Sequence, residues 1–200
     1  TVFEDLYVTS AIGFTNRLVP GRIRIIDTEM HAISGSYLNA LLGFHADGTT
    51  IEFIRSELSH PLIIPSVSPT INITSTIHAD LSLIDSTFHD LTTINMGGVL
   101  AFNQGGNAAS RVLIDRSILS DNQAVNGAAA FMTLGDGAAI GDVYVRDSAI
   151  VRNQNTQNAR YYAALWMEWN TNGYFDNVDF GVGPDANGPN TDLGPYCPTD

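Results

Sequence analysis

Lysine is missing from this 200-residue chain, and all nine of its basic side chains are arginine. Against them stand 21 acids, for a net charge of -12. Such a chain repels phosphate backbones and anionic headgroups, which sets nucleic acid aside as a partner. Long apolar runs are missing too. None approaches the roughly 20 residues that a membrane-spanning helix needs, so no membrane insertion is expected. Cysteine is scarce: Cys197 stands alone, and one cysteine closes no internal disulfide. Nor does any segment carry a 3.6-residue apolar period between helix caps, so helix is not expected. At 44% apolar and 15% charged, the chain can bury a core. It opens on Thr1, not methionine, and is expected to be a mature form or an excised piece.

What the chain does have is a repeat. One phrase recurs: apolar, any, apolar, any, polar, Ser/Thr, any, apolar. It reads IRIIDTEM (Ile23 to Met30), IEFIRSEL (Ile51 to Leu58), LSLIDSTF (Leu81 to Phe88), VLIDRSIL (Val112 to Leu119) and VYVRDSAI (Val143 to Ile150), with a weaker copy from Gly173 to Phe180. The Ser/Thr position falls at Thr28, Ser56, Ser86, Ser117 and Ser148, and at Val178 in the last copy, in steps of 28, 30, 31, 31 and 30.

The columns say what this period means. Ile23, Ile51, Leu81, Val112 and Val143 form one apolar column. Ile25, Phe53, Leu83, Ile114, Val145 and Phe175 form a second, two residues on, which is strand spacing. A third (Met30, Leu58, Phe88, Leu119, Ile150, Phe180) follows five residues later, so the alternation breaks once in between. A corner explains the break, at Asp27, Arg55, Asp85, Arg116, Asp147 and Asn177. Asp and Asn tolerate left-handed backbone; arginine does not share that tolerance. The charges in this column alternate in sign, as vertical stacking at about 4.8 Å favours. Each repeat adds a second apolar stretch, such as Gly97 to Phe102 or Ala163 to Met167, set among Asn, Gly and Ser.

A single coil cannot bury its own face, so the coils must stack. We therefore expect an all-β, right-handed parallel β-helix, a solenoid of about six coils of roughly 30 residues each. Residues 22–183 form the coils, residues 1–21 a partial first coil or N-terminal cap, and residues 184–200 a C-terminal cap or tail rich in strand-stopping Gly, Pro, Asn and Asp. A leucine-rich repeat would want leucine where Ser117 and Ser148 stand, and a propeller needs longer repeats.

These columns resemble right-handed β-helix proteins of the pectate-lyase-like kind, and among them surface repeats such as the polymorphic outer-membrane proteins. That family carries GGA-type and F-x-x-N tetrapeptides. Their counterparts are Gly97-Gly98-Val99-Leu100, Gly127-Ala128-Ala129-Ala130, Leu119-Ser120-Asp121-Asn122 and Ile150-Val151-Arg152-Asn153, with Phe replaced in the last two. The resemblance covers about residues 22–183 and implies an extracellular or cell-surface location. The fold hosts lyases, hydrolases, adhesins and spikes alike, so it does not choose a function.

Three sets of residues carry candidate chemistry. Arg160, Tyr161, Tyr162, Trp166, Glu168 and Trp169 gather aromatics and charges in the sixth coil. If Leu165 and Met167 point inward, Trp166 and Glu168 point outward and suit stacking on a polysaccharide or cell-surface glycan; the plain alternative is cover for the core. Asp179, Asp185, Asn187, Asn190 and Asp192 have oxygen spacing that can ring calcium, although a turn-forming cap explains them better, since Gly188 is misplaced for a calcium loop and no bidentate glutamate follows. His31 and His89 occupy equivalent places with Ser59 between them and His60 out of step, which reads as solvated surface and not a metal site. A lyase would want a basic residue beside calcium-holding acids, and a hydrolase would want converging carboxylates. Asp27, Asp85 and Asp147 lie two coils apart and do not converge. The expected function is a non-catalytic binding module (adhesin or stalk). The alternatives are a polysaccharide lyase or glycoside hydrolase, and a subunit that self-associates through its solenoid ends.

Overall fold

A computed structural model describes residues 2–7, 12–16, 21–34, 42–59, 70–93, 97–106, 108–125, 128–135, 138–155, 164–168 and 170–181. The strands, in chain order, begin with β1 (Val2–Tyr7), β2 (Ile12–Asn16), β3 (Gly21–Ile26), β4 (Glu29–Ser34), β5 (Leu42–Ala46), β6 (Thr49–Ile54), β7 (Glu57–Ser59) and β8 (Ile71–Ser75). Then come β9 (Ala79–Ile84), β10 (Thr87–His89), β11 (Leu100–Gln104), β12 (Arg111–Asp115), β13 (Ile118–Ser120), β14 (Gln123–Ala124) and β15 (Ala130–Thr133). β16 (Gly141–Val151), β17 (Gln154–Asn155), β18 (Leu165–Met167) and β19 (Thr171–Asp179) complete the series. The described residues contain no helix.

Every strand pairing is parallel, and the stacking follows the repeat. The long strands stack in the order β3, β6, β9, β12, β16, β19, with Ile23 on Ile51, Ile51 on Leu81, Leu81 on Val112, Val112 on Val143 and Val143 on Gly173. These are the expected steps. The short strands after the corner stack as β1, β4, β7, β10, β13, and β16 runs unbroken through the corner to join both columns into one sheet. A second sheet holds β2, β5, β8, β11, β15 and β18. The molecule is a parallel β-solenoid. It closes about four turns where six coils were expected. Six long strands stack among the described residues.

Burial follows the period of two. β9 alternates buried and half-buried residue by residue, and Phe53, Leu83, Ile114, Phe88 and Leu119 have no measurable exposure. The core ends at the last rung, where Phe175 is 45% exposed.

All six corner residues adopt left-handed backbone, the arginines included, with φ between 47° and 50°. The expectation that arginine fits poorly here is corrected by what its side chain does. Arg55 forks onto Asp27 at 2.6 and 2.8 Å, and Arg116 onto Asp85 at 2.7 and 3.0 Å. Bidentate pairing one rung back gives each of these arginines a fixed partner in a conformation its type seldom adopts. Asn177 closes the column by donating to Asp147 at 2.7 Å.

The recurring hydroxyl just past the corner is an internal ladder. Ser56, Ser86, Ser117 and Ser148 are buried, and each donates to the carbonyl two residues before it. Ser86, Ser117 and Ser148 also accept the backbone N–H of the preceding rung's serine at 3.0–3.1 Å. A leucine could do neither. Asn122 and Asn153 form a second buried ladder. Gly97 in the GGA-like segment has φ +68°, and a Cβ there would sit 2.1 Å from the Leu100 carbonyl oxygen.

Candidate functional site

The outward face of the long strands is where polar groups stand free of the fold's own needs. Its side chains fall in vertical columns. One contains Arg22, Thr50, Asp80, Arg111, Asp142 and Asn172; the next contains Arg24, Glu52, Ser82, Leu113, Tyr144 and Tyr174. At one end, Glu52 is consumed by Arg22 (2.6 and 2.7 Å) and Arg24 (2.9 Å). Near the corner, Asp115 is buried under two guanidiniums, those of Arg116 and Arg146. These are structural ion pairs.

The middle of the face differs. His78, Asp80, Ala109, Ser110, Arg111, Ile140 and Asp142 line a hollow of about 300 Å³. Asp80 precedes Arg111 by one rung and Asp142 follows it by one. Among the described arginines, Arg111 alone has no carboxylate within 4.0 Å. Its guanidinium lies 5.8 Å from the centre of the Tyr144 ring instead. The Asp80 Oδ1 atom is buried without a hydrogen-bond partner, while its Oδ2 lies 3.4 Å from His78 Nε2. His78 Nδ1 donates to the Ala109 carbonyl at 2.5 Å, which fixes the ring. Tyr144 stacks on Tyr174 with centroids 4.8 Å apart and planes 10° apart, the spacing of the rungs themselves. Burial first, then the Asp142 charge and Tyr174, pushes the Tyr144 hydroxyl above its ordinary pKa, so it stays a donor.

The hollow thus offers a fixed imidazole, an unsatisfied carboxylate oxygen and a guanidinium without a carboxylate partner, with the Tyr144 ring beside that guanidinium. Groups of that kind, spread over three rungs, match a chain of hydroxyl-bearing units. The guanidinium between the two acids works against a bare cation there.

Trp166 is half-buried in β18, with its ring edge-on to Phe131 (centroids 5.1 Å apart, planes at 89°). Leu165 is buried, and Trp166 takes the outward side of the strand, partly as cover for Phe131. Glu168 accepts from the Thr133 hydroxyl at 3.0 Å. Arg160, Tyr161, Tyr162 and Trp169 lie outside the described residues, as do Asp185, Asn187, Asn190 and Asp192. Asp179 accepts from the Gly181 N–H at 2.7 Å, as a turn-former does. Among the described residues no group of three or more His, Cys, Asp and Glu could hold a metal ion. His60 is also outside them.

The expectation that His31 and His89 are solvated is corrected. Both are half-buried with definite partners. His31 Nδ1 lies 2.6 Å from the Ser59 hydroxyl. His89 touches Glu57 at 3.0 Å and Asp90 at 2.7 Å.

The hollow was missed in the sequence, although its signal was there. The 31-residue step that aligns Leu81, Val112 and Val143 also aligns their outward neighbours Asp80, Arg111 and Asp142. No protein-family model matches the chain, and comparison with curated proteins and with solved structures returns no significant match.

Proposed function

We propose that this chain is a non-catalytic, extracellular or cell-surface β-solenoid module that binds a neutral glycan along the outward face of its long strands. One observation carries the reading: Arg111 and the Asp80 Oδ1 stand unpaired in one hollow, on a protein that pairs its other described arginines with carboxylates. A buried unsatisfied polar atom is costly, and a sugar hydroxyl that donates to Asp80 and accepts from Arg111 would satisfy both. The net charge of -12 favours neutral over acidic sugars. The surface placement is supported by the resemblance of the GGA-like and F-x-x-N-like tetrapeptides to outer-membrane repeats.

A polysaccharide-active enzyme is the second reading. The same column sets a basic group between two acids, the arrangement that the pectate-lyase resemblance asks of a lyase. Asp80 and Asp142 are two rungs apart, about 10 Å, near the upper limit for an inverting hydrolase pair.

A glycan array probed in calcium and in chelator, with Arg111→Ala and Trp166→Ala beside the parent, tests both. Binding lost in Arg111→Ala and kept in Trp166→Ala supports the hollow. The reverse moves the site to β18. New unsaturated ends or new reducing ends on the bound polysaccharide replace the binding module with a lyase or a hydrolase. Absence of binding overturns the glycan reading.

A further inference from the structure

We infer that His78 is itself a ligand-binding group of the hollow, an acceptor that works beside Asp80 on adjacent hydroxyls of one sugar ring, and that protonation of its imidazole releases the ligand. The inference rests on the glycan reading and adds to it an acceptor pair and its control by pH.

The Ala109 carbonyl decides which nitrogen of His78 carries the proton. A carbonyl oxygen only accepts, and this one lies 2.5 Å from Nδ1, so Nδ1 is the donor. Whenever the ring is neutral, Nε2 is then left with a bare lone pair. That lone pair faces Asp80 Oδ2 at 3.4 Å, and a carboxylate also only accepts. Two acceptors stand side by side with no hydrogen between them. The other oxygen of the same carboxylate, Oδ1, has no partner either. The two comparable histidines are served differently. His31 meets the Ser59 hydroxyl, which can donate or accept. His89 lies between Glu57 and Asp90, whose bonds and charges hold a proton on it.

The pair is reachable and held in place. The His78 side chain is 48% exposed and that of Asp80 33%. The His78 carbonyl accepts the Gly48 N–H at 2.6 Å, and the next residue, Ala79, donates its N–H to the Ser110 hydroxyl at 3.0 Å. That hydroxyl donates in turn to Gln104 at 2.5 Å. A site fixed in this way loses little freedom when a ligand arrives. Adjacent ring hydroxyls are two donors on neighbouring atoms. They suit two neighbouring acceptors, one hydroxyl on Nε2 and one on the Asp80 carboxylate. Arg111, one rung on, can donate to oxygens of the same unit.

Protonation reverses the arrangement. A hydrogen on Nε2 turns the acceptor into a donor aimed at Asp80 Oδ2, and an ion pair closes where the hydroxyls sat. The described charged groups around the ring are Asp80, two residues on, Arg111 from β12 and Asp142 from β16. From the preceding rung, Asp47 is taken up by Ser75, Thr76 and the Ile77 N–H, and Glu52 on β6 by Arg22 and Arg24. Among these side-chain types, histidine is the one whose charge ordinarily changes between about pH 5 and 8.

The test reads an array of neutral gluco-, manno-, xylo- and galacto-oligosaccharides at about pH 8 and about pH 5, with the parent and His78→Gln. Circular dichroism at both values checks that each form is folded. The parent should bind about tenfold more weakly at the lower pH, the size expected for the loss of one or two hydrogen bonds. His78→Gln should bind more weakly than the parent at the higher pH and change less than about twofold between the two. Heteronuclear NMR of the imidazole nitrogens in the unliganded parent at the higher pH should place the His78 proton on Nδ1. A proton on Nε2, parent binding indifferent to pH, or an equal fall in His78→Gln would each overturn this inference and leave the glycan reading standing. Absence of binding by both forms at both pH values would overturn the glycan reading, and this inference with it.

Discussion

Asn153 accepts two hydrogen bonds from Asn122 one rung away, from the backbone N–H at 3.1 Å and from the side-chain amide at 2.9 Å. Asn122 repeats the pattern by accepting the Leu91 N–H at 3.1 Å and donating to the Phe88 carbonyl. Neither asparagine has measurable exposure. Asn122→Ala takes the side-chain partner from two buried groups, the Leu91 N–H and the Phe88 carbonyl, and leaves Asn153 Oδ1 with one of its two bonds. At about 1–3 kcal/mol each, partly relieved by relaxation, the loss should reach about 3 kcal/mol or more. Urea unfolding measures it as a lower midpoint, and a midpoint near that of the parent would mean that water replaces the ladder.

Ile114 and Ser82 test the two faces of the long sheet. Ile114 is fully buried between Leu83 and Val145, and Ile114→Asp buries an unpaired charge, which should leave no cooperative unfolding transition. Ser82 faces outward beside Glu52 and Leu113. Ser82→Asp should shift the thermal midpoint by no more than a few degrees. Two silent variants would mean that the inward and outward assignments are wrong.

Charge order in the corner column gives a salt-sensitive test. Arg55 sits between Asp27 and Asp85 and forks onto the first. Arg55→Asp would stack three acids in a row, whereas Arg55→Asn keeps a residue that accepts left-handed backbone, as Asn177 does. The Asp variant should melt well below the Asn variant in dilute buffer, and the gap should narrow in 1 M salt, roughly where screening falls to about 3 Å. A gap indifferent to salt would point to backbone strain instead.

Stability should peak at mildly acidic pH. Hydrogen bonds from Arg55, Arg116 and Arg152 hold Asp27, Asp85 and Asp121 below the usual carboxylate range, and the Thr76 backbone N–H does so first for Asp47. Their contribution is present above the ordinary carboxylate value of about 3.9 and is lost as pH falls through the folded values. His89 runs the other way. Burial pulls its pKa down, but the bonds to Glu57 and Asp90 and their charges outweigh this and raise it. That contribution is full below the ordinary histidine value of about 6.5 and is lost as pH rises through the folded one. Urea midpoints should therefore be highest between about pH 4 and 6.5. His89→Gln should reduce the alkaline decline and leave the acid limb in place. An alkaline limb equally steep in the variant would assign it elsewhere.

The strand register was legible because two periods reinforce each other. Alternation by two assigns Leu81 and Leu83 inward, and the 31-residue step places Val112 and Ile114 on them. Left-handed arginines at Arg55 and Arg116 were not legible, since conformational preference is local and their compensation comes from an acid 28 or 31 residues away. Minus-plus-minus also describes Asp80, Arg111 and Asp142, yet there the arginine turns to Tyr144 and the charges do not pair. A sequence column gives position along the stack but not the rotamer, and the rotamer separates a structural ladder from a binding hollow. Trp166 shows the same limit: its outward side was readable, while its seat against Phe131 depends on a ring orientation.

The backward pairing of the corner arginines has a mechanical consequence. Hydrogen bonds between rungs run along the solenoid axis, so a pull on the two ends loads every bond of a junction together, and the rod parts where the fewest cross. Arginine bridges cross from β3 to β6 (Arg22, Arg24 and Arg55), from β9 to β12 (Arg116) and from β12 to β16 (Arg146 and Arg152). No described arginine bridges the last junction, β16 to β19, where Asn172 and Asn177 hold Asp142 and Asp147, and among the inner junctions none bridges β6 to β9. That junction relies on its backbone bonds and the serine ladder, on Asp47 gripping Ser75 and Thr76, and on the His89–Glu57 contact. Of the inner junctions this one should part first under tension, and more readily at alkaline pH, where the imidazole has lost its charge.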